Sequence, residues 1–109
     1  GGVIAPGVQL SIINLNRFTA ALPMFNLKTN PRTYGKNTKD ALNAGFLWGY
    51  QGLITNIIKK IKTSFNCNFK IILTGGYSKI FSKFININST TDPYITIKGI
   101  MHIYKNLIK

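Results

Sequence analysis

Three adjacent residues, Thr74, Gly75 and Gly76, have types and a position suited to holding a nucleotide. They follow an apolar run at 69–73 and precede a segment with helical spacing. A buried strand that runs into glycines and then a helix brings backbone N–H groups to the carboxyl edge of a sheet, where α/β proteins bind nucleotides. The Thr74 hydroxyl can hydrogen-bond a base or ribose there. From the residues alone, two glycines that serve only the turn are the better interpretation.

A second candidate is the segment Gly35-Lys36-Asn37-Thr38, which precedes the longest periodic stretch of the chain. A threonine at a helix N-terminus combines a hydroxyl with free backbone donors, which suits a small anionic or hydroxylated ligand. The alternative is simple capping, with Asn37 as the cap and Thr38 as the first helical residue. From the residues alone, capping is the better interpretation.

The other reactive side chains do not form a catalytic set. Asp40 and Asp92 are the only acids, too few for a glycosidase carboxylate pair, a calcium loop or an acid-rich magnesium site. The single histidine, His102, has apolar neighbours at helical spacing, which is more typical of a surface or partly packed residue than of a base. With Cys67 as the one cysteine, no intramolecular disulfide can form and a reducing compartment fits best. We therefore expect no catalytic residue and no metal ligand in this chain.

The elements that must position these residues are helices alternating with short strands. The pattern predicts a strand within 1–7, a helix over 8–18, an irregular connection over 21–34, a long helix from 37 to 65, a strand over 69–73, a helix over 77–84, a loop over 85–91 and a helix from Pro93 to the end. Such an order indicates an α/β layered fold with too few strands for a complete sheet. No apolar run reaches the length of a membrane span, so we expect a soluble, cytoplasmic chain.

Two of the predicted helices carry an apolar face. The apolar face of the long helix is expected to be buried, and it consists of Ile54, Ile57, Ile58, Ile61 and Phe65. That of the last helix is Ile97, Ile100, Met101, Tyr104 and Leu107 or Ile108. Gly45, Gly49 and Gly52 interrupt the long helix, either because another backbone packs closely there or because they mark a kink between two shorter helices.

The charge balance is extreme, since 14 Lys and Arg against 2 Asp and Glu give a formal net charge of +12 in 109 residues. Such a charge favours nucleic acid as a partner, because cations near phosphates release condensed counterions. The lysines are scattered, however, and only Arg17 and Arg32 could make bidentate contacts. AT-biased coding, which enriches lysine, isoleucine and asparagine, explains the charge better than selected nucleic-acid binding.

Taken in order, six parts of the sequence resemble the C-terminal part of type III pantothenate kinases. They are GGVIAPG (1–7), Ser11, TAALP (19–23), GKNTKDALNAG (35–45) with Gly49 and Gly52, IILTGG (71–76) and DPYITIKGIMHIYKN (92–106). That family belongs to the acetate and sugar kinase, Hsp70 and actin superfamily. The resemblance implies that residues 1–109 are a partial C-terminal domain, a ribonuclease-H-like half with an incomplete sheet. It also implies ATP-dependent phosphorylation of pantothenate to 4'-phosphopantothenate, the first step of coenzyme A synthesis.

The resemblance assigns roles residue by residue. It makes Thr38 a pantothenate-binding residue, above the capping interpretation, while Asn37 can still cap the same helix. It places the segment Thr74-Gly75-Gly76 against the adenosine of ATP. It gives packing roles, in a turn near the cleft, to Gly2, Pro6 and Gly7.

Three family motifs have no counterpart in the sequence: the D-x-G-N-T phosphate loop, the G-x-D-R segment with the general base, and the D-x-G-T strand that holds ATP and a monovalent cation. The resemblance therefore implies an N-terminal ATPase half outside this chain, potassium or ammonium and magnesium held there, and a homodimer. Because phosphoryl transfer depends on the positioning and charge neutralisation that those parts supply, we expect the 109 residues alone to be inactive. The alternative is a non-catalytic paralogue that acts as a basic regulatory or nucleic-acid-binding module.

Overall fold

The computed structural model describes residues 1–19, 22–28 and 34–108. The chain divides into two compact units, Gly1–Asn66 and Cys67–Lys109. Its elements in chain order are α1 (Val8–Phe18), α2 (Thr38–Phe65), β1 (Ile72–Leu73), α3 (Ser78–Phe84), β2 (Thr90–Thr91) and α4 (Ile95–Leu107). The mixed α/β class and all four predicted helices are confirmed.

The N-terminal segment differs from its prediction. Residues 1–7 are exposed and form no strand with the part of the chain that the structure describes. A short apolar centre between glycines suggests a strand, but a strand also needs a neighbour to pair with. The predicted irregular connection is non-helical at 22–28, while residues 20–21 and 29–33, which include Arg32, lie outside the described residues.

Helix α2 begins where a side chain replaces the missing backbone partners of its first turn. The Asn37 side-chain oxygen accepts a hydrogen bond of 2.9 Å from the Asp40 backbone N–H, and the Asn37 amide donates one of 2.8 Å to the Asp40 carboxylate. An acid in the first turn also complements the helix dipole. At the other end Asn66 adopts the left-handed conformation, with φ of 48°, that commonly ends a helix.

Helix α2 is a single helix of 28 residues, so the kink expected as one alternative at Gly45, Gly49 and Gly52 is wrong. Close backbone packing is not observed either, because a Cβ at any of the three would meet no atom within 4 Å in the described residues. The predicted buried face is only partly right: Ile54, Ile57 and Ile58 are half-buried, whereas Ile61 and Phe65 are exposed. The buried apolar side chains of the first unit are Ile12, Ala44 and Leu47.

In the second unit, β1, α3 and β2 form a β-α-β arrangement. The strands are parallel, with Ile72 beside Thr90 and Leu73 beside Thr91. Strand β1 is shorter than predicted, and Ile72 is exposed instead of buried. Strand β2 falls in the predicted loop, because two threonines carry no apolar alternation and only the pairing with β1 makes them a strand. The core of this unit is formed by Phe81 and Ile85.

Helix α4 contains no buried residue. None of the helices in the described ranges combines the length and the apolar character needed to span a membrane.

Candidate functional site

The predicted nucleotide segment lies at the carboxyl edge of the two-stranded sheet. Thr74, Gly75 and Gly76 follow β1 directly, and Asp92 follows β2 directly. Because the strands are parallel, both carboxyl ends meet at one edge. The Asp92 backbone N–H donates a hydrogen bond of 2.9 Å to the Leu73 carbonyl, which holds the two strand ends together.

The turn after β1 is held by Gly75 and Ser78. Gly75 has φ of +100°, a conformation that side chains rarely adopt. Its carbonyl accepts a hydrogen bond of 2.7 Å from the Ser78 hydroxyl and one of 3.2 Å from the Ser78 backbone N–H. A Cβ on Gly75 or Gly76 would meet no atom within 4 Å in the described residues. The outer side of the turn is therefore open, and a flat ring could lie directly against this backbone.

Asp92 positions the start of α4 beside that turn. Its carboxylate accepts a hydrogen bond of 2.9 Å from the Tyr94 backbone N–H and one of 2.8 Å from the Lys98 ammonium. The hydrogen bond from Lys98, followed by that from Tyr94, lowers the pKa of the Asp92 carboxyl below its ordinary value. The sequence indicated only a turn or helix entry at Asp92. The sequence signal for its hydrogen-bonding role is the position of Tyr94 two residues later and of Lys98 six residues later.

Thr38, the predicted pantothenate-binding residue, is the first residue of α2 and is exposed. Asn37 supplies the cap, so the Thr38 hydroxyl is not needed for it, and no hydrogen bond occupies that hydroxyl within the described residues. The first backbone bond of the helix runs from the Ala41 N–H to the Asn37 carbonyl over 2.9 Å. The Thr38 and Lys39 N–H groups precede that bond and face the same helix end. Asn37 thus caps the helix, and the exposed Thr38 stays a predicted pantothenate-binding residue.

Gly35 is a residue of this segment to which sequence reasoning assigned no role. A Cβ at Gly35 would lie 2.0 Å from the Ala41 nitrogen and 2.3 Å from the Asp40 carbonyl carbon. The backbone of Gly35 therefore packs directly on the first turn of α2. The close approach fixes the path of the chain into Thr38, and the glycine two residues before the cap is the signal that could have indicated it.

Tyr50 connects the N-terminal turn to α2. Its hydroxyl donates a hydrogen bond of 3.0 Å to the Pro6 carbonyl and lies 2.9 Å from the Ser11 hydroxyl oxygen. Pro6 is therefore held through its backbone carbonyl, and its predicted packing role stays a prediction. A Cβ at Gly2 or Gly7 would meet no atom within 4 Å in the described residues, so neither glycine makes a close approach there.

The two acids and the histidine each contact a nearby side chain. Asp40 is bonded to Asn37 and Asp92 to Lys98, while the His102 Nε2 atom lies 3.0 Å from the Asn106 amide nitrogen on α4. Across residues 1–19, 22–28 and 34–108, no three His, Cys, Asp or Glu side chains group in a way that could hold a metal ion. The described residues therefore offer no cluster of carboxylates or imidazoles for magnesium, and the resemblance places the ligands of both cations outside this chain.

Each predicted substrate site lies within one unit. The structure places Thr38 with Asn37 and Asp40 in the first unit. It places the segment Thr74-Gly75-Gly76 with Asp92 in the second.

Comparison with known proteins identifies the family of the chain. Residues 1–60 match the family model of type III pantothenate kinase. The chain is 48% identical over 101 residues to a type III pantothenate kinase of Pelagibacter ubique (strain HTCC1062), covering 93% of this chain and 41% of that protein. It is 38% identical over 105 residues to one of Sulfurihydrogenibium sp. (strain YO3AOP1), covering 96% of this chain and 42% of that protein. The chain thus spans about two fifths of the length of these curated relatives. It belongs to the type III pantothenate kinase family.

Proposed function

We propose that this chain is part of a cytoplasmic kinase that phosphorylates pantothenate to 4'-phosphopantothenate with ATP, the first step of coenzyme A synthesis. The observation that carries the proposal is the 48% identity, over nearly all of the chain, to a relative named type III pantothenate kinase. The open glycine turn after β1 and the available Thr38 hydroxyl support it. The β-α-β arrangement further supports assignment of the chain to a ribonuclease-H-like half-domain.

In the proposed reaction the 4'-hydroxyl oxygen of pantothenate attacks the γ-phosphorus of ATP. The bond from that phosphorus to the β,γ-bridging oxygen breaks, ADP leaves, and the hydroxyl proton passes to a base. This chain would contribute binding: the Thr38 hydroxyl bonds pantothenate, and the turn at Thr74, Gly75 and Gly76 receives the adenosine. Binding of this kind lowers the barrier by fixing the two reactants in position.

The remaining parts of the reaction fall to polypeptide outside this chain. Asp40 and Asp92 are each bonded to a neighbouring side chain, so neither is placed as a general base. We propose that an N-terminal half, within the part of the relatives that this chain does not match, holds the base, the phosphate loop and the ligands of magnesium and a potassium or ammonium ion. The 109 residues alone are then inactive.

The family resemblance also leads us to propose a homodimer for the intact kinase. The exposed backbone at Gly45 and Gly49, beside the 41% exposed Trp48, supports it, since small residues allow two helices to approach closely. Sedimentation of the intact kinase tests this assembly.

Two threonine substitutions test the assignment of substrates. In the intact kinase, Thr38→Ala should raise the KM for pantothenate about 2- to 10-fold, the effect of losing one hydrogen bond, and leave the KM for ATP unchanged. Thr74→Ala should do the reverse, so each variant is the control of the other, and Thr38→Ser should retain the wild-type KM. ADP release is measured by a coupled assay. Turnover of ATP that does not depend on pantothenate would contradict the proposed function.

A further inference from the structure

Helix α4 carries most of its apolar side chains on one side, with Thr96 among them and Ile95 outside that side. We define the α4 apolar face as Ile97, Ile100, Met101, Ile103, Tyr104, Leu107 and Ile108. At 3.6 residues per turn these seven side chains span about 160° of the helix circumference. Lys98 and Lys105 flank one edge of this face, and His102 and Asn106 lie farther round on the polar side. Such a division is typical of a helix that buries one side in the assembled protein.

The α4 apolar face is uncovered in the structure. Its seven side chains are between 48% and 79% exposed, and the helix has no buried residue. Contiguous apolar patches of this kind are rare on free monomers and mark interaction surfaces. The core of the second unit does not use the α4 apolar face. Its buried apolar side chains are Phe81 on α3 and Ile85 at the end of α3.

We propose that the α4 apolar face is the docking surface for the rest of the kinase polypeptide, the part of the relatives' length that this chain does not match. The inference rests on the proposed function. The alignment with the Sulfurihydrogenibium relative takes in 105 of the 109 residues, so most or all of α4 is included. That same relative has about three fifths of its length outside the match. A protein with an α4 segment thus also has a large polypeptide available to cover it.

Charge favours this occupant over a second copy of the chain. Lys98 and Lys105 both lie along the edge of the face that is next to Met101, and a second copy would bring a further net charge of +12 against this one. The rest of the kinase must instead supply the carboxylates that the proposed reaction needs and that this chain lacks. We therefore infer a partner surface that is apolar and is not itself strongly basic.

The test is co-expression of the 109-residue chain with the tagged part of the Pelagibacter relative that it does not match. The wild-type chain is expected to co-purify with that part, whereas Ile100→Asp and Leu107→Asp should each lower the recovered complex at least tenfold. Asn106→Asp adds the same charge on the polar side of α4 and should leave recovery unchanged. Because Ile100 is 61% and Leu107 is 79% exposed, helix content measured by circular dichroism should match the wild type in both variants.

Several results would overturn the inference. These are no co-purification of the wild-type chain, equal recovery of all variants, or a dimer of the chain alone that Ile100→Asp dissociates and Asn106→Asp does not, which would assign the face to a second copy. ADP release measured on the same complex separates the two proposals. A complex that depends on Ile100 but shows no pantothenate-dependent turnover would contradict the proposed function and leave the docking surface standing.

Discussion

At the scale of single residues, the candidate sites depend on two glycines for two different reasons. Gly75 is required by its φ of +100°, which orients the turn after β1. Gly35 has no unusual φ and is required because its backbone lies against the first turn of α2. Gly45, in the same unit, meets neither condition and faces open space. Replacing each of these three glycines with alanine should therefore change the free energy of unfolding by different amounts.

A comparison of Gly35→Ala with Gly45→Ala tests this difference. At Gly35 the new Cβ would lie 2.0 Å from a backbone nitrogen, so the chain must shift, and we expect a loss of about 1–3 kcal/mol in the free energy of unfolding. At Gly45 alanine improves helix propensity and should raise that free energy by up to about 1 kcal/mol. Urea unfolding followed by circular dichroism measures both. Equal effects of the two substitutions would show that the close approach at Gly35 is absent.

The Asp92 carboxylate predicts a dependence of stability on acid. Its pKa in the folded chain lies below the ordinary value of 3.8, so the ionised form is favoured by folding. The resulting stabilisation is fully present above pH 3.8 and disappears as the pH falls through the folded pKa. Asp92→Asn should therefore lower the unfolding midpoint near neutral pH and match the wild type in strong acid. Lys98→Gln should show a similar pattern, and a deficit of Asp92→Asn that persists unchanged in strong acid would contradict it.

At the scale of elements, Tyr50 joins the N-terminal segment, α1 and α2 through one hydroxyl. Its ring also stacks on Phe46, with centroids 5.9 Å apart, and Phe46 meets Phe25 edge-on at 5.2 Å. The Phe46–Tyr50 stack links side chains one turn apart on α2, as helical periodicity predicts. The other contacts are not readable from periodicity, because they join residues 21 to 44 positions apart on different segments. The hydroxyl bonds explain how residues 1–7 are held without forming a strand.

Removing this hydroxyl should cost stability without changing the ring packing. Tyr50→Phe is expected to lower the free energy of unfolding by about 1 kcal/mol, the usual net value of a hydrogen bond. Because Ser11 shares the hydroxyl, Ser11→Ala and Tyr50→Phe should combine to less than the sum of their separate effects. Tyr34→Phe, at an exposed tyrosine of the same unit, is the matched control and should be neutral. Strict additivity of the first two substitutions would argue against the shared bond.

At the scale of the whole molecule, the net charge of +12 needs an explanation. Exposed lysines such as Lys59 and Lys60 occupy the solvent side of α2, and Lys98 is bonded to Asp92. Charges distributed in this way attract phosphate without reading a base sequence. The chain belongs to a kinase family, so its positive charge does not require a site selected for binding nucleic acid.

The charge should therefore produce only weak, salt-sensitive binding to DNA. Fluorescence anisotropy with two duplexes of equal length and unrelated sequence should give equal affinities at about 50 mM salt and lose binding at about 200 mM. A preference for one duplex that survives the higher salt would instead support the regulatory, nucleic-acid-binding alternative. Single-stranded RNA of matched length serves as a further comparison.

The sequence by itself determined the helices and the family. Apolar spacing and the Asn37 cap are local signals, because a helix satisfies its own backbone hydrogen bonds, and α1, α2, α3 and α4 follow them closely. The order and spacing of six short segments indicated the kinase family and singled out Thr38 and the glycine turn as candidates. Their binding roles remain predictions.

Only the tertiary structure decided what lies beside what. Strand β2 exists because Thr90 and Thr91 pair with β1, and the segment 1–7 is not a strand because nothing in the described residues pairs with it. Strand pairing depends on residues that are distant in the sequence. Neither Thr90–Thr91 nor residues 1–7 carry a local pattern that shows whether a partner strand lies beside them. The same holds for Asp92 beside the turn at Gly75, for the close approach of Gly35, and for the exposure of α4. Periodicity predicts that a helix has an apolar face, but what covers that face depends on the rest of the assembled protein.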